Sequence, residues 1–224
     1  MMTRPETTIA IIGPGAIGGI VATRLANTDD LSVLLCGRSP VGKITVCSDE
    51  GELSAELEEL RLDGDARPVD WIVVATKVYQ SAAAAKWFPL LMGSNTKVAI
   101  LQNGAEHLAN FKEFIDEDRI VPVMVDIPAE RLEGSRILQR NRGQLVMPST
   151  EAGKAFAALF SDTSIVIDLK ADMTTVLWRK LCTNAAGPEV LALPIWVLRL
   201  CNAANQRALK TVSPSIFGCF RSPP

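Results

Sequence analysis

Near the beginning of the 224-residue chain stands the sequence Thr8-Ile9-Ala10-Ile11-Ile12-Gly13-Pro14-Gly15-Ala16-Ile17-Gly18-Gly19. An apolar run typical of a strand leads into the pattern Gly-x-Gly-x-x-Gly, and a helix-compatible run follows. In such a unit Gly13 allows a tight turn, Gly15 lets the backbone approach a pyrophosphate, and Gly18 lets the helix pack on the strand. The helix N terminus then offers unpaired N–H groups to phosphates. The segment predicts dinucleotide binding; a glycine-rich turn without a ligand is the alternative.

Strand-like and helix-like segments alternate through the first two thirds of the chain. Short runs rich in Val, Ile and Leu predict strands at 7–12, 31–36, 71–76, 97–101 and 119–125. Helix-like stretches lie between several of them, at 16–27, 80–92 and 105–117. This alternation is typical of an α/β fold with a Rossmann-like, doubly wound parallel sheet. Further strands at 135–139, 143–147 and 164–168, with a helix at 150–161, are expected to extend the same domain, residues 1–169.

The pattern changes to helix from Ala171 onward. Six residues share one side of a helix at three- to four-residue spacing: Met173, Val176, Leu177, Lys180, Leu181 and Asn184. We therefore expect a helical C-terminal domain over residues 170–224, truncated and with an irregular tail. No acidic residue follows Glu189, and the ending has neither helical periodicity nor a strand pair. Chance, a basic surface tail, and a truncated or altered reading frame are the possible causes, and we favour the last.

The overall composition excludes several classes of protein. The chain is 48% hydrophobic and 21% charged, as in ordinary globular proteins, and its net charge of −2 gives no electrostatic reason to expect nucleic acid or a membrane as a partner. No apolar run is long enough for a spanning helix, and no apolar segment typical of a secretory signal precedes the first strand. The five cysteines form no Cys-x-x-Cys pair. They indicate reduced thiols in a cytoplasmic protein with no metal site.

The residues after the second and third predicted strands indicate which dinucleotide is bound. Sites selective for NAD usually place Asp or Glu at the end of the second strand, but here that strand is followed by Gly37, Arg38 and Ser39. An arginine suits a 2′-phosphate, because it donates charge-assisted, bidentate hydrogen bonds. NADPH is therefore favoured over NADH, with a solvated loop arginine as the alternative. Lys77, just after the next strand, is expected to face the same cleft, unless it is only a surface lysine.

The scarcity of histidine and tyrosine narrows the chemistry further. His107 is the one histidine and Tyr79 the one tyrosine in the sequence. A His–Asp mechanism would depend on His107, which stands at the start of a predicted helix, and we interpret it as a capping or surface residue. A Tyr-x-x-x-Lys pair fails because Ala83 occupies the fourth position after Tyr79. Lysines and carboxyl groups remain as the proton donors.

Four motifs occur in order along residues 7–198 and resemble those of one family. They are Gly13-x-Gly15-Ala16-Ile17-Gly18, Lys77-Val78-Tyr79-Gln80, Leu101-Gln102-Asn103-Gly104 and Leu177-Trp178-Arg179-Lys180-Leu181-x-x-Asn184. Together they resemble ketopantoate reductase (2-dehydropantoate 2-reductase), an NADPH-dependent enzyme of pantothenate and coenzyme A biosynthesis. The resemblance implies an oxidoreductase that reduces a small 2-keto acid, here 2-dehydropantoate, to a 2-hydroxy acid, and it leaves room for a homodimer.

The resemblance also implies a role for each matching residue. The residues implied to bind the cofactor are Gly13, Gly15, Ala16, Ile17, Gly18, Arg38, Lys77, Gln80 and Asn103. Asn103 and Asn184 would bind the substrate, and Lys180 would be the catalytic lysine. A positioned ammonium can stabilise the charge that develops on the carbonyl oxygen and donate a proton to it. Lys180 and Asn184 stand four residues apart, so one helix would present both on the same side.

Two departures from the family pattern keep alternatives open. The family usually has a second asparagine eight residues after the lysine, where this chain has Pro188. Its C-terminal domain also supplies a catalytic glutamate and a substrate-binding serine, and no acid follows Glu189 here. A non-catalytic NADP(H)-binding module is therefore the alternative function. A different hydroxyacid dehydrogenase on the same scaffold is a third, because fold does not fix substrate. Lys180 itself could serve only as a salt-bridge residue between domains.

Overall fold

The computed structural model describes the backbone of residues 7–190 and the side chains of residues 7–184. The chain divides into two compact units, Met1–Leu181 and Cys182–Pro224. The predicted irregular tail and the last part of the family match, residues 191–198, lie outside the described residues. Within the described part, no helix is both long and apolar enough to span a bilayer.

A six-stranded, wholly parallel sheet forms the centre of the first unit. Its strands, in chain order, are β1 (Thr7–Ile12), β2 (Leu31–Cys36), β5 (Glu58–Leu60), β6 (Val69–Val74), β7 (Met92–Ile100) and β8 (Ile120–Pro122). Their spatial order is β5-β2-β1-β6-β7-β8, so the chain builds outward from β1 in one direction and then from β6 in the other. This is the doubly wound, Rossmann-like sheet that the sequence predicts. The change of direction between β1 and β6 is the place where such sheets bind ligands.

Alternation along the strands gives the sheet two buried faces. Ile9 and Ile11 of β1 pack in one apolar cluster together with the buried side of α1 (Ala16–Ala26). Ala10 and Ile12 of the same strand face a second cluster, which includes Ala84, Phe88 and Phe111 from three short helices. Both faces of a parallel sheet must be covered in this way, because its strands are apolar on both sides.

After α1, the described α-helices are α2 (Ser81–Ala85), α3 (Phe88–Leu91), α4 (His107–Phe111), α5 (Glu151–Ala158) and α6 (Met173–Val190). The helix predicted at 150–161 is α5, which ends at Ala158, and two other predicted helices are shortened more strongly. The predicted helix 80–92 is broken after Ala85, and Trp87 and Phe88 at the break are buried in the second cluster. The predicted helix 105–117 ends at Phe111, where the chain tightens into a bond from the Phe114 N–H to the Phe111 carbonyl. Tertiary packing therefore outweighs helical propensity in both places.

Two smaller sheets stand beside the main one. The first has the order β10-β11-β3-β4 and contains β3 (Ile44–Ser48), β4 (Gly51–Ala55), β10 (Ala129–Arg131) and β11 (Arg136–Gln139). The second has the order β13-β12-β9 and contains β9 (Met124–Asp126), β12 (Gln144–Pro148) and β13 (Val166–Lys170).

These small sheets show where the later predicted strands lie. The strands expected at 135–139, 143–147 and 164–168 exist within the first unit, in the two small sheets and not in the main one. The single strand expected at 119–125 is two, β8 and β9, which separate after Pro122. β9 then pairs antiparallel with β12. The strands β3, β4, β5 and β10 were not predicted.

Candidate functional site

Four strand ends meet at the carboxyl edge of the main sheet. Because β2, β1, β6 and β7 are parallel neighbours, the residues that follow each of them lie along the same edge. These residues are the glycine turn after β1, Arg38 after β2, Lys77 after β6 and Asn103 after β7. The structure therefore brings three of the four sequence motifs and Arg38 to one edge, at the point where the strand order reverses.

The glycine turn has a shape that side chains would block. Gly13 has a φ of +90°, a region that other residues rarely adopt, and a Cβ there would stand 2.6 Å from Cγ2 of Thr76. The Gly13 N–H donates to the carbonyl of Cys36 on the neighbouring strand at 3.0 Å. A Cβ on Gly18 would collide with the carbonyl oxygen of Gly13 and lie 3.1 Å from Cβ of Ala75. The turn is therefore held against both neighbouring strands by close backbone contacts.

Gly15 differs from the other two glycines because the space beside it is open. A Cβ built on Gly15 meets nothing within 4 Å, although the residue has an ordinary φ of −78°. Gly15 precedes α1, which begins at Ala16 and Ile17, and among the described residues no side chain caps this N terminus. Uncapped N–H groups at a helix start, with room beside them, form the kind of site that accepts a phosphate.

Arg38 lies at the start of a loop that other residues hold in place. Its side chain is exposed next to the end of β2. Further along the loop, the carboxylate of Glu59 accepts hydrogen bonds from the N–H groups of Val41 and Gly42, at 2.8 and 2.7 Å. The Ser135 hydroxyl donates to the Val41 carbonyl at 2.6 Å. The loop is thus fixed by its backbone, and the guanidinium of Arg38 remains available at the sheet edge.

The Lys77 motif forms a tight turn in which Gln80 has a local role. The Gln80 side-chain oxygen accepts from the Lys77 N–H at 3.2 Å, and the Gln80 N–H donates to the Lys77 carbonyl at 2.8 Å. The side chain of Lys77 is exposed, and so is that of Tyr79. In this structure Gln80 therefore sets the backbone from which Lys77 extends.

Gln102 holds two turns of the site together, a role that the sequence motif Leu101-Gln102-Asn103-Gly104 did not indicate. It is 2% exposed, and its amide nitrogen donates to the Thr76 hydroxyl at 3.0 Å. Its amide oxygen accepts from the Ser81 hydroxyl at 3.1 Å. Gln102 therefore ties the turn after β7 to the turn after β6. A polar residue at the end of the apolar run 98–101 was the one sequence signal for this role, and its partners could not be inferred.

The turn after β7 presents Asn103 and buries His107. Asn103 is exposed, whereas His107, the first residue of α4, is only 1% exposed. The prediction of a capping or surface role for His107 is therefore wrong, because the ring is packed beneath the turn. Burial lowers the pKa of His107 to about 4, and the neighbouring backbone of Gln102 and Gly104 opposes that shift only in part. The imidazole is therefore neutral at pH 7 and structural in character.

The same turn meets the beginning of α6. Ala105 packs against a small apolar cluster of Val146, Met173 and Leu177. Asp172 accepts hydrogen bonds from the hydroxyl and N–H of Thr175, which is the arrangement of an N-cap. These bonds hold the pKa of Asp172 below its ordinary value. The start of α6 is therefore anchored to β12 and lies next to the turn that carries Asn103.

Lys180 lies on α6 and pairs with a carboxylate that the sequence interpretation missed. Its Nζ donates to Oδ1 of Asp126, the last residue of β9, at 2.6 Å. The two residues are 54 positions apart, so no local pattern predicts the contact. Asn184, one turn later on α6, is exposed and belongs to the second unit.

Comparisons with known proteins agree on one family. Residues 9–152 match the family model described as Ketopantoate reductase PanE/ApbA. The chain is 45% identical over 181 residues to the 2-dehydropantoate 2-reductase of Caulobacter vibrioides, which covers 81% of this chain and 62% of that protein. It is 34% identical over 194 residues to the enzyme of the same name from Mycobacterium tuberculosis, covering 83% of this chain and 64% of that protein.

A solved structure shows the same fold. The dimeric ketopantoate reductase of Staphylococcus aureus superposes with a TM-score of 0.65 at 25% identity, covering 78% of this chain and 58% of that chain. The present chain thus spans less than two thirds of the length of each of these relatives.

Proposed function

The chain belongs to the ketopantoate reductase PanE/ApbA family, and from this premise we propose that it binds NADPH and reduces 2-dehydropantoate to pantoate. The observation that carries the proposal is a shared location: the open, uncapped start of α1 lies at the same sheet edge as the exposed Arg38 and Lys77. An anion with several phosphates fits this combination of helix N terminus and two cations.

Different residues are proposed to bind different parts of the cofactor. The turn Gly13–Gly18, with Ala16 and Ile17, would hold the pyrophosphate, and the open space beside Gly15 supports this assignment. Arg38 and Lys77 would hold the adenosine phosphate end, with Gln80 setting the backbone of Lys77. Asn103 would lie near the nicotinamide. When bound, NADPH supplies the hydride.

Lys180 would provide the proton. The substrate carbonyl carbon gains a hydride and its oxygen gains a proton from the Lys180 ammonium, so the ketone becomes a hydroxyl and the amine regains its proton from water. Before that transfer, the ammonium stabilises the negative charge that develops on the oxygen. Asn103 and Asn184 would orient the substrate. A division of the chain into a cofactor domain, residues 1–169, and a substrate domain, residues 170–224, is part of the same proposal.

The proposed partners are a small 2-keto acid and a second copy of the chain. The homodimer is supported by the Staphylococcus aureus relative, which is a dimeric ketopantoate reductase. A cytoplasmic location is supported by Cys36, Cys47 and Cys182, which are free thiols.

A second candidate function is NADP(H) binding without turnover. All the residues proposed to bind the cofactor lie between Gly13 and Asn103, within the first unit. Cofactor binding therefore depends on the main sheet and its turns, while turnover also depends on α6, which carries Lys180 and Asn184.

One experiment distinguishes the two functions. NADPH oxidation with 2-dehydropantoate is measured for the wild-type chain, for Lys180→Ala and for Lys170→Ala, which removes a lysine that is 50% exposed and paired with Asp168. Loss of a positioned general acid is expected to lower kcat by about 10²–10⁴-fold in Lys180→Ala alone, with NADPH affinity unchanged. A wild-type chain that binds NADPH but does not oxidise it with 2-dehydropantoate would contradict the reductase and support the binding module.

A further inference from the structure

The ion pair between Lys180 and Asp126 matches the salt-bridge alternative for Lys180, and Asp126 has no other role so far. The ammonium and the carboxylate are 2.6 Å apart, a short charge-assisted hydrogen bond. The side chain of Lys180 is 27% exposed and that of Asp126 is 53% exposed. The pair is therefore accessible to solvent and to a small ligand, while its geometry is fixed at both ends by regular structure.

Strand alternation explains why Asp126 faces α6. Side chains two residues apart on a strand point to the same face, so Asp126 shares a face with Met124. Met124 packs against the cluster that contains Met173 and Leu177 of α6. Val125, between them, packs instead against the main core. The antiparallel ladder with β12 pairs Asp126 with Gln144 and fixes its backbone.

Helical spacing explains why Lys180 meets that face. Leu177 and Lys180 are three residues apart and are neighbours on one side of α6. Leu177 of α6 and Met124 of β9 belong to the same apolar cluster. Three residues further along α6 and two residues further along β9, Lys180 and Asp126 form the polar contact. The pair follows from the register of β9 against α6 and is not an accidental surface contact.

The ion pair is not what holds α6 in place. The start of the helix is anchored by the burial of Met173 and Leu177, and Asp172 caps it through Thr175. Pairs that are as exposed as this one contribute little to stability. The contact therefore calls for an explanation other than packing.

We propose that Asp126 is the positioning residue for Lys180, an inference that rests on the proposed reductase function. A lysine has a flexible four-carbon stem and three donors on its ammonium. Accepting one of these donors fixes Nζ and leaves two for the carbonyl oxygen of the substrate. Asp126 acts through Lys180 and does not itself exchange a proton with the substrate.

The test compares Asp126→Asn with a matched control. Asp168→Asn removes another strand carboxylate, 34% exposed against 53% for Asp126, that pairs with Lys170 at 2.9 Å on β13. For Asp126→Asn we expect kcat and kcat/KM for 2-dehydropantoate to fall together by about tenfold or more, because a misplaced acid loses transition-state stabilisation. NADPH affinity and the melting temperature should match those of the control, and Asp126→Glu should recover part of kcat.

The possible results separate the inference from the function on which it rests. Wild-type turnover with equal kcat in Asp126→Asn and Asp168→Asn would overturn the positioning role and leave the reductase intact. Losses of melting temperature and NADPH affinity in Asp126→Asn would overturn it too, since they would mark a structural ion pair. No turnover by wild-type protein would refute the reductase, and the positioning role with it.

Discussion

The turns after β1 and after β7 connect parallel strands to helices at the same sheet edge, yet they are built in opposite ways. The first, Gly13–Gly18, is shaped by missing side chains and touches its neighbours through the backbone. The second, residues 101–107, is shaped by two buried polar side chains, Gln102 and His107. The first turn leaves open space for a ligand beside Gly15, whereas the space under the second turn is occupied by the buried side chains of Gln102 and His107.

This difference determines what each turn depends on. A backbone turn depends on residue type at a fixed spacing and is insensitive to pH. A turn supported by polar side chains depends on their hydrogen-bond partners and protonation, because an unsatisfied or charged buried group is costly. The two turns should therefore respond differently to pH, to an added methyl group and to loss of a neighbouring charge.

The largest expected effect is the pH dependence that His107 adds to stability. Its folded pKa of about 4 lies below the ordinary value of 6.5, so the unfolded chain binds a proton that the folded chain rejects. The part of the unfolding free energy that depends on a neutral His107 is fully present above pH 6.5 and is lost as the pH falls toward 4. It amounts to about 3 kcal/mol of unfolding free energy at pH 4. Urea unfolding from pH 7.5 to pH 4 measures it.

The variant His107→Gln isolates this contribution from that of the carboxylates. Wild-type stability should fall with acidification by about 3 kcal/mol more than the stability of the variant. Parallel pH profiles for the two proteins would show that the imidazole is not held neutral beneath the turn.

The sequence predicted the first turn well because its signal is local. Glycines at fixed spacing between an apolar strand and a helix identify the turn, and β1, α1, β2 and β6 lie within two residues of their predicted positions. The parallel order of the main sheet followed from the alternation of strands and helices. The residues that follow strands in such a sheet must meet at one edge, so Arg38 and Lys77 could be expected there.

The second turn and the environment of Lys180 could not be predicted in the same way. Gln102 finds its partners at Thr76 and Ser81, more than 20 residues away, and Asp126 lies 54 residues from Lys180. The contact of Asp126 with Lys180 exists because β9 leaves the main sheet to pair with β12, and no local pattern indicated that departure. Roles that depend on long-range contacts require the structure.

A methyl group at Gly18 or at Gly15 tests the first turn in two ways. Gly18→Ala places a Cβ against the Gly13 carbonyl and Ala75, and it should lower the free energy of unfolding by about 2–3 kcal/mol. Gly15→Ala meets open space, so its stability should stay near that of wild type while NADPH affinity falls. Denaturant unfolding and fluorescence titration with NADPH measure the two effects. Unchanged NADPH affinity in Gly15→Ala would show that no pyrophosphate approaches the backbone there.

The smallest expected effect concerns the charge beside the first turn. Arg38→Ala removes a charged donor from an exposed side chain, so NADPH binding should weaken by ~1–3 kcal/mol. NADH lacks the 2′-phosphate, so its affinity should hardly change.

Arg61→Ala, which removes an arginine that is 81% exposed and paired with Asp63, serves as the control for net charge. Titration of each variant with both cofactors decides the point: equal weakening of NADPH and NADH in Arg38→Ala would mean that Arg38 supports the loop without contacting the 2′-phosphate. A loss confined to NADPH would show that the backbone turn binds what the two dinucleotides share and that one side chain distinguishes them.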